Sequence, residues 1–376
     1  MADAGADAPG GRADAVNGAA PASPGRRITD VGGVMVGHHH RVDDDATVGG
    51  EQPGTGWASG TTVVRIPAGS VTAVDVRGGG PGTRETDLLD PVNTVLGAHA
   101  IVLTGGSAYG LAAADGVMSA LESEGVGLPM DLHGHVVPIV PAAVIFDLLV
   151  GDWAKRPDAD FGARALAAAA VDFEVGSVGG GTGARAGCLK GGIGTASVTL
   201  AEGPGAGVTV GALVVANPVG DVLDPETGLP WGASESMLSR FGLTRPTDDD
   251  ISALADLKAK QTVLNTTIGV VAVDAKLDVA STKRIAMSAH DGLARAIRPA
   301  HSPLDGDTLF AVATGAVEVE RSPLVPPGMN PDVALVGMLG AAAADMVAEA
   351  IVDAVVNATS VAGVSSMREV VGSAFR

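Results

Sequence analysis

The chain has one cysteine in 376 residues, Cys188. A single thiol excludes an intrachain disulfide and any zinc site built on several cysteines. Such usage fits a reducing compartment, so the cytoplasm is the expected location. Lone thiols behave more often as small buried hydrophobes than as nucleophiles, and Cys188 is read as buried and inert. Aromatics are scarce at 3%, so the core has to be built from Val, Ile, Leu and Ala. Positive charge is in deficit: 24 Lys and Arg stand against 43 Asp and Glu, a formal net charge of -19. That surface repels phosphate backbones and anionic headgroups, which argues against nucleic acid and membrane partners and favours amine-bearing substrates. The start, "MADAGADAPGGRADAVNGAAPASPGRR", has no basic stretch followed by an apolar core, so no secretory signal is read there. Residues 1–27, dominated by Ala, Gly, Pro and Asp, are expected to form a disordered tail. A single domain over residues 28–376 is expected to follow.

What is present is apolar residue and glycine: 46% of the chain is hydrophobic and 54 residues are Gly. That is enough material for a sizeable core, with many tight turns and close backbone approaches. Short β-rich runs over residues 28–76 read as hairpin strands. "AHAIVLTGG" reads as a buried strand and "SAYGLAAADGVMSALESEGVG" as the helix after it. Two further strands are expected in "GIGTASVTLAEG" and "VTVGALVVANPVG". Residues 221–260, rich in Pro, Asp and Lys, read as a flexible segment with little core content. Strand pattern resumes at Val263 with "TVLNTTIGVVAVDA". A helix, the strand "DTLFAVATG" and a long Ala-rich helix complete the chain. In that last helix Asp345, Glu349 and Asp353 recur every four residues, a carboxylate stripe that reads as a packed helix rather than a membrane span. Strands interleaved with helices imply sheets covered by helices, a layered α/β or α+β sandwich.

Several motifs invite chemistry and have ordinary readings beside it. "GGSAYGL" stands where a hydrolase nucleophile elbow would be, but Tyr109 occupies the position that needs glycine. Ser107 is read as a helix N-cap. "GSVGGGTGARAG" fits no strict dinucleotide fingerprint and no Gly-Lys-Ser/Thr follows, so it reads as a loop threaded between packed elements. Its amides could also polarise a carbonyl. His38 and His40 share one face of a strand, yet no second segment converges on them, and no metal or other cofactor is expected. Asp305 and Asp307, in "LDGDTLF", either face one site or make a turn.

"LNTT", residues 264–267, keeps two readings. It is a β-branched strand entrance with a local Asn hydrogen bond. Taken alone the stretch favours that reading, but a Thr hydroxyl can also attack the carbonyl just before it, and hydrolysis of the resulting ester leaves Thr as a new N-terminus. The freed α-amine, with a pKa of about 7.7–8.0, can then serve as base for the hydroxyl of the same residue. Spacing alone does not prove the chemical reading.

Taken together, "ITDVGGVMVGH", "DVRGGGPGTRETDLL", "VLTGGSAYGLAAADGV", "VPIVPAAVIFD", "GSVGGGTGARAG", "LKGGIGTAS" and "LNTTIGVVAVDA" make the chain resemble the self-processing aminopeptidase/esterase family. That family holds the L-aminopeptidase/D-esterase (DmpA type), β-peptidyl aminopeptidases and the nylon-oligomer hydrolase. The resemblance covers roughly residues 28 to 364. It implies a four-layer αββα sandwich of the α+β class, similar to N-terminal-nucleophile hydrolases but differently connected. It implies cleavage between Asn265 and Thr266 into an α chain 1–265 and a β chain 266–376. Thr266 would be the nucleophile and its α-amine the base. Asn217 matches the oxyanion-holding Asn, and Asp305 and Asp307 match positions that orient the nucleophile. Lys190 matches a lysine near the nucleophile in the nylon-hydrolase branch, which Thr266 with two Asp resembles more than the Ser-bearing aminopeptidases. Phe146 falls where aminopeptidase members carry a Tyr hydroxyl, and it becomes a candidate for the substrate pocket. The implied activity is hydrolysis of amide bonds in small peptides or ω-amino-acid oligomers, by a homo-oligomer of αβ pairs, a tetramer being favoured. An acyltransferase with the same nucleophile and a non-catalytic nucleotide-binding protein are the alternatives.

Overall fold

In the computed structural model, residues 20–21, 26–257, 265–320 and 325–376 are described. Most of the expected N-terminal tail and the residues Val263 and Leu264 lie outside them.

Ten strands form two five-stranded mixed sheets. In chain order they are β1 (Met35–Val42), β2 (Ala58–Arg65), β3 (Val71–Val76), β4 (Thr83–Arg84), β5 (Ala100–Thr104), β6 (Ala142–Val144), β7 (Gly192–Thr199), β8 (Thr209–Ala216), β9 (Ile268–Ala275) and β10 (Thr308–Val317). The first sheet has the order β1-β2-β5-β6-β4, the second β7-β8-β9-β10-β3. β1 and β2 pair antiparallel, as the hairpin pattern predicts. β9 and β10 pair parallel, because the helix α3 (Val279–Ala296) carries the chain back between them. The other long helices are α1 (Ala113–Ser123), α2 (Ala159–Ala167) and α4 (Val333–Val356).

Side-chain alternation builds the layers. Along β9, Ile268, Val270 and Ala272 point into a core that also holds Val36, Val64, Ile101 and Leu103 of the first sheet. Val271, Val273 and Ala275 point the other way, into a core with Ile285 and Leu293 of α3 and Leu339 and Ile351 of α4. Val63 and Val102 turn from the first sheet toward Ala114, Val117 and Leu121 of α1 and Leu166 of α2. The result is helix, sheet, sheet, helix, the αββα sandwich that the resemblance implied. Both faces of β9 are covered, so all eight residues are buried and the strand reads as one apolar run. Helix α4 is long and apolar enough to cross a membrane by length and composition. Yet Glu349 and Asp353 of its stripe are buried inside the fold, and Asp345 pairs with Arg295 of α3.

Two local expectations change. Residues 221–257 are not a linker: Val222, Leu223, Met237, Leu243 and Leu254 are buried in the core beneath α3 and α4, and helices form at Glu235–Phe241 and Asp248–Asp256. The apolar anchors there come singly or in pairs between Pro, Gly, Asp and Ser, so no sustained periodic signal announces them. Ser107 does not cap its helix with its side chain. It sits at positive φ after Gly106, and its amide donates to the Ile145 carbonyl at 3.0 Å.

Candidate active site

Thr266 lies two residues ahead of the first residue of β9 and is 5% exposed. It is fixed by its neighbours more than by its own side chain. Its amide donates to the Asn217 carbonyl at 3.0 Å. The next amide, that of Thr267, donates to Asp307 Oδ1 at 2.8 Å. Just before it, Asn265 pairs with the segment ahead of β10: its amide reaches the Leu304 carbonyl at 3.1 Å, and its carbonyl accepts from the Gly306 amide at 2.9 Å. The Thr266 hydroxyl lies 2.5 Å from the same Asn265 oxygen. One carbonyl is therefore held by a backbone N–H and approached by the hydroxyl of the following residue.

The loop Ser302–Asp307 makes this possible. A Cβ on Gly306 would lie 2.8 Å from Thr266 Oγ1 and 2.8 Å from the Gly80 carbonyl oxygen, so only glycine lets the three strands of chain meet. The glycine run before β4 packs on the other side: the Gly80 amide donates to the Asp305 carbonyl at 2.8 Å, and the Arg77 amide to the Asp307 carbonyl at 2.9 Å.

Asp305 and Asp307 converge on the site but do different work. Asp307 clamps the Thr267 amide with one oxygen and His301 with the other, at 2.8 Å to its Nδ1. Asp305 accepts from the Val219 amide at 3.1 Å and the Ser302 amide at 3.0 Å. It thereby ties the Asn217 loop to the loop carrying Gly306. Both carboxylates act on Thr266 through backbone. Asn217 is fully buried. Its Oδ1 accepts from the Arg185 amide at 2.9 Å, and its Nδ2 donates to the Phe146 carbonyl at 3.4 Å. Phe146 thus contributes its main chain to Asn217, while its ring packs edge-on against Trp153 at 6.3 Å.

Lys190 stands one hairpin away, paired in register with Arg185. It is fully buried, and its ammonium donates to the carbonyls of Gly181 and Gly191, each at 2.8 Å, rather than to Thr266. Burial pulls its pKa down to about 7, against the charge of Asp147. Burial pushes Asp147 up to about 6, against hydrogen bonds from the Gly106 amide and the Ser59 hydroxyl. Lys190 therefore titrates near neutrality behind the site.

The remaining motifs are structural. The Gly180 amide donates to the Thr62 hydroxyl at 3.0 Å, and Thr62 also contacts His38 Nδ1 at 2.9 Å. The other His38 nitrogen meets the Glu174 carbonyl at 3.0 Å. Burial lowers His38 to about 4, so it braces the glycine loop as a neutral ring. Among the described residues no group of three or more His, Cys, Asp or Glu is placed to hold a metal. Cys188 is half-buried rather than buried as expected, and the loss of solvent still raises its thiol to about 11, where little thiolate forms at neutral pH.

Gly306 and His301 escape a reading of the sequence. Gly306 lies unremarked inside "LDGDTLF", and no spacing rule links it to Thr266. His301 joins only through the fold of its loop.

The chain as a whole is similar to known proteins. The sequence model of peptidase family S58 matches residues 26–369. An uncharacterized aminopeptidase of Mycobacterium tuberculosis (strain ATCC 25618 / H37Rv) is 57% identical over 352 residues, 93% of this chain and 98% of its own. A 6-aminohexanoate-oligomer endohydrolase of Kocuria sp. (strain KY2) is 33% identical over 274 residues, 70% of this chain and 72% of its own. Among solved structures, a Burkholderia sp. β-aminopeptidase superposes with a TM-score of 0.67 at 27% identity, covering 93% of this chain and 92% of that one. The L-aminopeptidase D-Ala-esterase/amidase from Ochrobactrum anthropi, described as a variant of the Ntn hydrolase fold, superposes with a TM-score of 0.64 at 25% identity, over 88% and 86%.

Proposed function

The chain belongs to peptidase family S58 and is a peptidase or amidohydrolase, and from that premise we propose that it cuts itself between Asn265 and Thr266 and then hydrolyses amides with Thr266. The observation that carries the proposal is the shared carbonyl. The Thr266 hydroxyl and the Gly306 amide both lie on the Asn265 oxygen, at 2.5 and 2.9 Å.

In the first step Thr266 Oγ1 bonds to the Asn265 carbonyl carbon. The Gly306 N–H stabilises the charge that develops on the oxygen, a donor of a kind worth about 100- to 1,000-fold in rate. The Asn265–Thr266 C–N bond breaks, the hydroxyl proton ends on the Thr266 nitrogen, and an ester remains. That bond cleavage has already freed the Thr266 α-amine, and one water hydrolyses the ester to a carboxylate on Asn265 and the restored Thr266 hydroxyl. That amine inherits the hydrogen bond to the Asn217 carbonyl, which aims its lone pair.

In turnover the same hydroxyl attacks the substrate carbonyl. The α-amine takes its proton and passes it to the leaving amine. Asn217 Nδ2, which donates to the Phe146 carbonyl at 3.4 Å in the uncut chain, donates to the substrate oxyanion. Water then releases the acyl group. Lys190 and Asp147 set the electrostatics behind Asn217, and Asp305 and Asp307 position the backbone. The substrate class proposed from the named relatives is short peptides and ω-amino-acid oligomers.

Mass measurement under denaturing conditions tests this. The purified protein is expected as fragments of about 265 and 111 residues, the smaller beginning at Thr266. Thr266→Ala should stay whole and lose at least about 10⁴-fold in kcat. Thr267→Val should still be cut, because the Thr267 hydroxyl is buried with no hydrogen-bond partner among the described residues. An intact chain that hydrolyses amides at full rate overturns the reading.

A further inference from the structure

His301 stands behind the candidate nucleophile, and its backbone is unusual. Its φ is +54°, in the left-handed region that His, Asn and Asp enter more readily than most residues. That conformation turns both its amide and its ring toward one atom. The amide donates to Asp307 Oδ2 at 3.1 Å, and Nδ1 reaches the same oxygen at 2.8 Å. Nδ1 is the donor, because a carboxylate only accepts. The other ring nitrogen, Nε2, is buried with no hydrogen-bond partner among the described residues. The ring packs edge-on against that of His290 on α3, with centroids 5.0 Å apart. His290 is fully buried, and its Nε2 meets the Asp75 carbonyl at 3.0 Å. Burial holds its pKa below the ordinary histidine value, so it acts as neutral packing for His301.

We infer that His301 is a positioning residue: it fixes the Asp307 carboxylate so that Asp307 aims the nucleophile, and it matters more for turnover than for self-cleavage. The inference rests on Thr266 being the nucleophile of both reactions. Asp307 is 2% exposed and has two oxygens with two tasks. Oδ1 accepts from the Thr267 amide at 2.8 Å, and Oδ2 is held twice by His301. Releasing Oδ2 lets the carboxylate rotate and loosens the hold on Thr267. The cost depends on what else holds the chain there. In the whole chain Thr266 is also anchored from its N-terminal side, where the Asn265 amide and carbonyl bond to Leu304 and Gly306. The cut severs that anchor. Pairing with β10 begins only at the Thr267 carbonyl, which accepts from the Thr308 amide at 3.1 Å. Ahead of it, the new N-terminus keeps two holds: the Asn217 carbonyl on the Thr266 nitrogen and Asp307 on the Thr267 amide.

Three substitutions test it. Asn places an amide N–H where the imidazole has Nδ1–H and tolerates the left-handed backbone. Asp has the same shape and tolerance but no donor. Gly suits the backbone, has no side chain, and covers the case in which His301→Asp does not fold. With dialanine amide as substrate for the cut protein, His301→Gly and His301→Asp should lose about 100-fold in kcat, the scale of a small misplacement of a reacting group. kcat/KM should fall in step, and His301→Asn should stay close to wild type. Self-cleavage, followed on a denaturing time course, should slow by a smaller part of the same positional loss, about 10-fold. In the Thr266→Ala background, spectra of protein labelled with 15N-threonine read the hold without turnover. The Thr267 amide signal, assigned by its loss in Thr267→Val, should keep its place in His301→Asn and move in the other two. Wild-type turnover in His301→Gly or His301→Asp, a His301→Asn as slow as His301→Gly, or equal losses in both reactions overturns the role of His301. A chain that is never cut and never turns over, yet shows the Thr267 pattern, overturns the Thr266 mechanism and leaves the His301 hold standing.

Discussion

A single methyl group tests the tightest point of the molecule. In Gly306→Ala the new Cβ would press within 2.8 Å of the Thr266 hydroxyl and the Gly80 carbonyl oxygen, closer than unbonded atoms tolerate. Relief requires the Gly306 amide or the hydroxyl to leave the Asn265 carbonyl. Self-cleavage is expected to slow by about 100-fold or more, with whole chain accumulating on a denaturing time course. Stability should fall by about 1–3 kcal/mol, as for overpacking elsewhere. Cleavage at the wild-type rate would remove Gly306 from the proposed first step. At this scale the sequence was partly legible. Thr266, Asn217, Asp305 and Asp307 could be named from matching motifs, and the fold brings all four together. Gly306 could not be named, because its importance is the absence of an atom, and a sequence does not record what would stand next to it.

Among the elements, α4 carries the most informative charge. Asp353 accepts from the Thr195 amide at 2.9 Å and from Asn357 Nδ2 at 2.9 Å. Burial nevertheless pushes its pKa up from 3.8 to about 7, against the Thr195 bond and the Arg240 charge. The folded protein therefore keeps a proton that the unfolded chain loses above about pH 4. Stability linked to Asp353 is full below pH 3.8 and declines as pH rises toward 7. A shift of that size corresponds to roughly 4 kcal/mol. Asp353→Asn removes the titration, so its stability relative to wild type should improve from pH 4 to pH 8, read from urea midpoints at both values. A difference that does not change with pH would mean that Asp353 does not titrate in this range. The helix itself was evident from its apolar pattern. Which way its carboxylates face was not, since period four places them on one side without saying whether that side meets water or β7.

For the molecule as a whole, the proposed cut falls in the middle of a sheet. β9 and β10 belong to the part after Thr266, and they lie between β8 and β3 of the part before it. The core shared by α3, α4 and β8 also crosses the cut. The two fragments are therefore expected to co-elute in native size exclusion and to separate only in denaturant. Fragments that part under native conditions would contradict this sheet order. Assembly of several such pairs belongs to the same proposal, and light scattering of the cut protein reads it.

The sequence by itself determined that sheets are covered by helices, because apolar runs and their periods state which residues must leave water, while the four-layer order came from the family resemblance. Together with the matching motifs, it also determined where chemistry on the chain would be found. Only the tertiary structure decided how that chemistry is held. The Asn265 carbonyl, the Gly306 amide and the Asn217 carbonyl come from segments far apart along the chain, and their meeting depends on hydrogen bonds between backbones, which no side-chain pattern encodes.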